Sequence, residues 1–192
     1  MNEKVNFIKL YTRQLTQVLN LLPEDKLFEI NDILQDARET GKQVFVIGNG
    51  GSAAAASHMV CDFSKNTREA GKNRMRVLCL NDNIPSVLAY ANDEGYEVIF
   101  SEQLLALGRP GDVLIAISGS GNSTNVLKAI ETAHEMKIKV VGLIGFQGGK
   151  VKDVADVCLI IPSDSMEMIE DVHLIINHIL AGLLRGAVLY GH

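Results

Sequence analysis

Five short apolar runs, each separated from the next by a helical stretch, constrain this chain more than any other feature. They are QVFVIG at 43–48, RVLCLND at 76–82, DVLIAISGSG at 112–121, KVVGLIG at 139–145 and VCLIIPS at 157–163. The runs are continuously apolar and β-branched rather than alternating, which suits strands buried on both faces. Helical patterns near 52–65, 84–91, 97–107, 123–136 and 148–154 lie between them, and a last helix at about 166–188 closes the chain. Strands alternating with helices build a parallel sheet covered on both sides. Ahead of the first strand, Val5, Ile8, Leu10, Leu15, Val18 and Leu19 mark a helix over 3–20. Pro23 opens a second helix that runs to about Thr40 and stops at Gly41. The expected fold class is α/β: a three-layer sandwich preceded by a helical hairpin. Residues 1–41 form the extension, 42–192 form the core, and together they make one domain.

Composition narrows the partners. The formal net charge of -5 excludes a broad basic surface, so no nucleic-acid partner is expected. Backbone amides can still hold a local anion. Cys61, Cys79 and Cys158 make no C-x-x-C or finger spacing, which points to buried thiols in a reducing compartment. MNEKVNFIKL carries an acid and makes a poor signal peptide, and no apolar run reaches about 18 residues. No membrane contact and a cytoplasmic location are expected.

Three strand ends carry small polar residues, and in open parallel sheets ligands bind beyond the carboxyl ends of the strands. SGSGNST at 118–124 places Ser118, Ser120 and Ser123 ahead of a helix, with Gly119 and Gly121 letting the backbone approach a guest. Free N–H groups and the helix dipole favour a phosphate there, although a Ser-capped helix with nothing bound has the same pattern. GNGGS at 48–52 fits G-x-G-x-x-A through Gly48, Gly50 and Ala53. The acid at the second strand end, Asp82, is more than 30 residues past Gly48, whereas a dinucleotide site needs one about 20 residues on. An anion loop is the better reading. His58 and Asp62, at i and i+4, share a face of the following helix. EMIEDVHLIINHIL adds Glu170, Asp171, His173 and His178 on an apolar helix. Two histidines and two carboxylates suit a divalent metal such as zinc or acid–base chemistry near neutral pH, and the histidines equally suit satisfied core positions. The charge-rich stretches 29–43 and 64–76 read as solvated surface, His134 and His192 as surface residues, and Met166 and Met168 as packing.

VFVIGNGGSAAAASHMVCDF, AYANDEGY, GDVLIAISGSGNSTNVLKAI and GFQGGK resemble the sugar isomerase (SIS) domain proteins, most of all the phosphoheptose isomerases. The resemblance covers nearly the whole chain. It implies a five-stranded parallel sheet of flavodoxin type and a homotetramer with active sites between subunits. It also implies conversion of sedoheptulose 7-phosphate to D-glycero-D-manno-heptose 7-phosphate through an enediol. Carried over by position, Asn49, Gly50, Gly51, Ser52, Asn92, Asp93, Ser118, Gly119, Ser120, Ser123 and Glu170 would bind the sugar phosphate. His58, Asp62, Glu170 and His178 would hold one zinc ion per subunit, with Asp62 and His178 as acid and base. Asp62 stands where the family pattern has Glu, and Glu170 where it has Gln, so another sugar phosphate stays open as substrate, as does a non-catalytic tetrameric adaptor of the same fold. Glu170 and His178 are eight residues apart, about 12 Å along a helix. They could meet at one ion only through leaning side chains, a late helix start or different subunits.

Overall fold

The computed structural model describes residues 3–186. Among these, five strands form one sheet in the order β2-β1-β3-β4-β5, all parallel. The strands are β1 (Gln43–Gly48), β2 (Arg76–Cys79), β3 (Val113–Ser118), β4 (Lys139–Ile144) and β5 (Val157–Ile160). All six residues of β3 are buried, as are all of β1 and β4 after their first residues, as continuous apolar runs require.

Helices cover both faces. α1 (Glu3–Asn20), α2 (Glu24–Glu39), α3 (Gly51–Lys65) and α8 (Met166–Leu184) lie on one side. Their core includes Leu27, Ile30, Leu34, Met59, Phe63, Ile169, Val172 and Ile176. The other face carries α4 (Ile84–Asp93), α5 (Ser101–Leu107), α6 (Thr124–Glu135) and α7 (Val151–Val154), with Phe45, Phe100, Leu104 and Leu114 in its core. The expected three-layer α/β sandwich with a helical hairpin in front is the architecture observed. Tyr11 ties α1 to α8 by donating to Asp171 at 2.6 Å, and this bond first, then burial, pushes the phenol up to about 12.

Several boundaries differ from the sequence reading. The expected helix over 97–107 is a single 3₁₀ turn at Tyr96–Val98 followed by α5. β2 ends at Cys79 rather than Asp82. The Asn81 side chain replaces further pairing there: it accepts from the Gly48 N–H at 3.2 Å and donates to the Gly48 carbonyl at 2.8 Å. α8 stops at Leu184, short of 188, with Gly186 at φ +63 just beyond; the expected helix end and His192 lie outside the described residues. Arg38 is not on a solvated face. It is buried, and its guanidinium donates to the Leu184 carbonyl at 3.0 Å and to Gln35 Oε1, satisfying the end of α8. Cys79 is buried as expected, but Cys158 is half-buried and Cys61 is exposed, off the buried face that Ala55, Ala56, Met59, Asp62 and Phe63 form on α3.

Candidate functional site

The order β2-β1-β3-β4-β5 reverses direction between β1 and β3, and a crevice opens where neighbouring strands send their connections to opposite faces. Gly48 pairs with Ile117, so GNGGS and SGSGNS leave the sheet side by side. They wall a cleft of about 260 Å³ lined by Asn49, Gly50, Gly51, Ser52, Ser118, Gly119, Ser120, Ser123, Met166 and Glu170. Nine of these ten residues were expected from the sequence. The tenth is Met166, 40% exposed, which packs its sulfur against Gly119.

Two helix N-termini open into this cleft without a side-chain cap. Gly50, with φ +55, precedes α3, and Ser123 precedes α6 without bonding its amides. Uncapped N–H groups and two aligned dipoles make the cleft favourable for anions. One anion is already in place: the Glu170 carboxylate lies over Gly51, in the space a Cβ would fill. That leaves the N-terminus of α6 for a second. Its loop is prepared for donation. The Ser118 hydroxyl accepts from the Gly121 N–H at 3.1 Å and that of Ser120 from the Asn122 N–H at 3.2 Å, so each hydroxyl hydrogen is free to point at a guest.

Asn49 bridges the two loops. Its amide and that of Asn125 exchange hydrogen bonds of 2.8 and 3.0 Å, and the Tyr96 hydroxyl donates to Asn49 Oδ1 at 2.9 Å. Neither Asn125 nor Tyr96 was singled out in the sequence, although Asn125 follows Ser123 by only two residues. Asn92 and Asp93 close α4 and are exposed; they bond one another at 2.6 Å and stand outside the lining of the cleft.

The acid–base candidates meet further along α3 and α8. His58 Nε2 is 3.2 Å from His178 Nε2 and 3.2 Å from Asp62 Oδ2, and His178 Nε2 is 3.5 Å from the same oxygen. Both rings are accessible, with side-chain exposures of 45% and 55%, while Asp62 is buried. A tetrahedral ion with arms of about 2.0–2.1 Å separates its ligands by about 3.3 Å. The three observed edges therefore outline one face of such a tetrahedron, and His58, Asp62 and His178 can hold a metal ion with a fourth position open.

Glu170 is not part of this triangle within the chain; two turns of α8 separate it from His178, and its carboxylate faces Gly51. His173 is not part of it either. It is a core histidine, whose Nε2–H donates to the Leu143 carbonyl at 3.0 Å. Burial pushes its pKa down to about 4 against the opposing effect of that bond, so it is neutral near pH 7. Two asparagines not expected from the sequence touch Asp62: Asn66 donates to Oδ1 and Asn177 to Oδ2, each at 2.8 Å. Their signals were a polar residue one turn beyond Asp62 and a polar residue beside His178 on an apolar helix.

Among the described residues, no helix is long and apolar enough to cross a membrane. The SIS domain family model matches residues 6–145. A phosphoheptose isomerase of Rhodospirillum rubrum is 40% identical over 160 residues, covering 83% of this chain and 85% of the relative. One from Helicobacter pylori is 41% identical over 153 residues, covering 80% of this chain and 79% of its own. The solved phosphoheptose isomerase of Neisseria gonorrhoeae superposes with a TM-score of 0.87 at 29% identity, over 96% of this chain and 98% of that one. With the switch-point cleft and the His–Asp–His triangle in place, these similarities show that the chain belongs to the SIS-domain phosphoheptose isomerase family.

Proposed function

We propose that this protein is a metal-assisted phosphosugar isomerase that interconverts sedoheptulose 7-phosphate and D-glycero-D-manno-heptose 7-phosphate. The observation that carries this reading is the triangle of His58, Asp62 and His178, built on the same two helices, α3 and α8, that wall the anion cleft. His58 lies seven residues beyond Gly51 on α3, about 10 Å along its axis. A sugar chain anchored by its phosphate near one end of that span would reach the triangle with the other.

The phosphate would sit at the N-terminus of α6, taking hydrogen bonds from Ser118, Ser120, Ser123 and free backbone amides. Glu170 repels it from α3, and Asn49 spans both loops beside it. Asn92 and Asp93 would contact the substrate from the end of α4. Anchoring the phosphate orients the reacting carbons. In the ketose-to-aldose direction a base takes a proton from C1 and an acid returns one to C2, through an enediol. Asp62 and His178 are the proposed acid and base, each acting through an atom other than the one it gives to the ion. Zinc fits the donor set of two imidazoles and a carboxylate, and when bound it supplies Lewis-acid polarisation of a carbonyl oxygen. A carboxylate oxygen of Glu170 would reach the fourth position only from another subunit. Exposed Phe7, Ile8 and Leu10 on α1 support such an assembly, a homotetramer with sites between subunits.

The test is turnover of sedoheptulose 7-phosphate followed by NMR, before and after chelation and with zinc restored. Turnover that is lost on chelation and regained with zinc is the expected result. No turnover with zinc, while a different phosphosugar reacts, replaces the heptose assignment. That second reading is favoured by one observation: the Glu170 carboxylate narrows the cleft at Gly51 and makes it more negative. A protein that isomerises no phosphosugar and takes up no metal is instead an adaptor of this fold.

A further inference from the structure

Asn177 is fully buried on α8, whose other buried residues include Val172, Ile176 and Leu180. Its amide makes one hydrogen bond, the 2.8 Å donation to Asp62 Oδ2, and its Oδ1 has no partner among the described residues. A buried amide with a bare oxygen costs stability that a leucine of similar size would not. Packing therefore does not account for an asparagine here, and its single N–H bond does.

The oxygen that Asn177 holds is the one facing His58 and His178 at 3.2 and 3.5 Å. Asn66, one turn beyond Asp62, donates to the other carboxylate oxygen at 2.8 Å. Both oxygens are thus fixed by uncharged amide donors. The side chain of Asp62 springs from α3, whereas the position it must reach lies between α3 and α8. Asn177 comes from α8, next to His178, and so ties the carboxylate to the helix that bears the second imidazole.

We infer that Asn177, assisted by Asn66, is a positioning residue that holds Asp62 Oδ2 as the third corner of the metal site. The inference rests on the metal reading above. It is tested with Asn177→Leu and Asn66→Ala in the full chain, by zinc competition against a chromophoric chelator and by thermal melting of the metal-free protein. Asn177→Leu is expected to weaken zinc binding about 10- to 100-fold while the metal-free protein melts at the same or a higher temperature. A residue with a merely structural role would show the reverse, with melting lowered and zinc affinity unchanged, and that result overturns the inference. Asn66→Ala alters an exposed residue and is expected to weaken zinc several-fold; should Asn177→Leu fail to fold, unchanged zinc affinity in Asn66→Ala overturns the inference. Failure of the wild-type protein to bind zinc removes the metal reading itself and this inference with it.

Discussion

The carboxylate of Glu170 occupies the volume that a Cβ on Gly51 would need, so a glycine at the start of α3 and an acid on α8 define one wall of the cleft together. The overlap involves only the end of a flexible side chain. Gly51→Ala is therefore expected to leave stability within about 1 kcal/mol of wild type, because alanine also favours the helix. Activity should fall at least tenfold as Glu170 is displaced. Gly51→Ala added to Glu170→Ala should cost little more than Glu170→Ala alone. Melting curves and steady-state kinetics on the three variants check this, and independent, additive losses would contradict it.

His58 and His178 stand at two corners of the same triangle but have different proposed tasks. His178→Ala removes a proton-transfer group as well as a ligand, and kcat should drop by about 10²–10⁴. His58→Ala removes a ligand alone, so excess zinc should recover part of its activity and none of that of His178→Ala. Rate measurements across a zinc titration separate the two.

Asn125 holds Asn49 by two hydrogen bonds across the switch point. Asn125→Ala leaves the amide of Asn49 with only Tyr96 and is expected to cost about 1–3 kcal/mol of stability. Because Asn49 lines the cleft and not the histidine triangle, phosphosugar affinity should weaken while zinc affinity holds. Calorimetric titration with each ligand reads the difference.

His173 links stability to pH. Its pKa falls from 6.5 to about 4 on folding, chiefly through burial. Between these values the unfolded chain binds the proton and the native one does not, so stability falls as pH drops from about 6.5 to about 4. The contribution present above pH 6.5 is on the order of 3 kcal/mol. His173→Gln keeps a donor for the Leu143 carbonyl and removes the titrating ring; its melting temperature should decline less over this range than that of wild type.

The arrangement of helices and strands was legible because each element carries its own period. Continuous apolar runs such as VLIAIS and VVGLI, short and rich in β-branched residues, read as buried strands between helices, and the polar strand ends announce the cleft. His58 and Asp62 were legible as a pair for the same reason, since i and i+4 share a helix face. The meeting of His178 with that pair, 120 residues away in sequence, depends on how α8 packs across α3, and no local pattern encodes it. The same holds for Glu170 facing Gly51 rather than the histidines, and for Arg38, whose charge reads as surface until the end of α8 is seen above it. Asn177 and Asn125 looked like ordinary polar residues because their meaning lies in a partner on another element. The sequence by itself determined the elements, the sheet class and the chemistry available at each strand end. Only tertiary packing decided which of those groups share one point in space, because side-chain convergence depends on the distance and crossing of helices far apart in the chain.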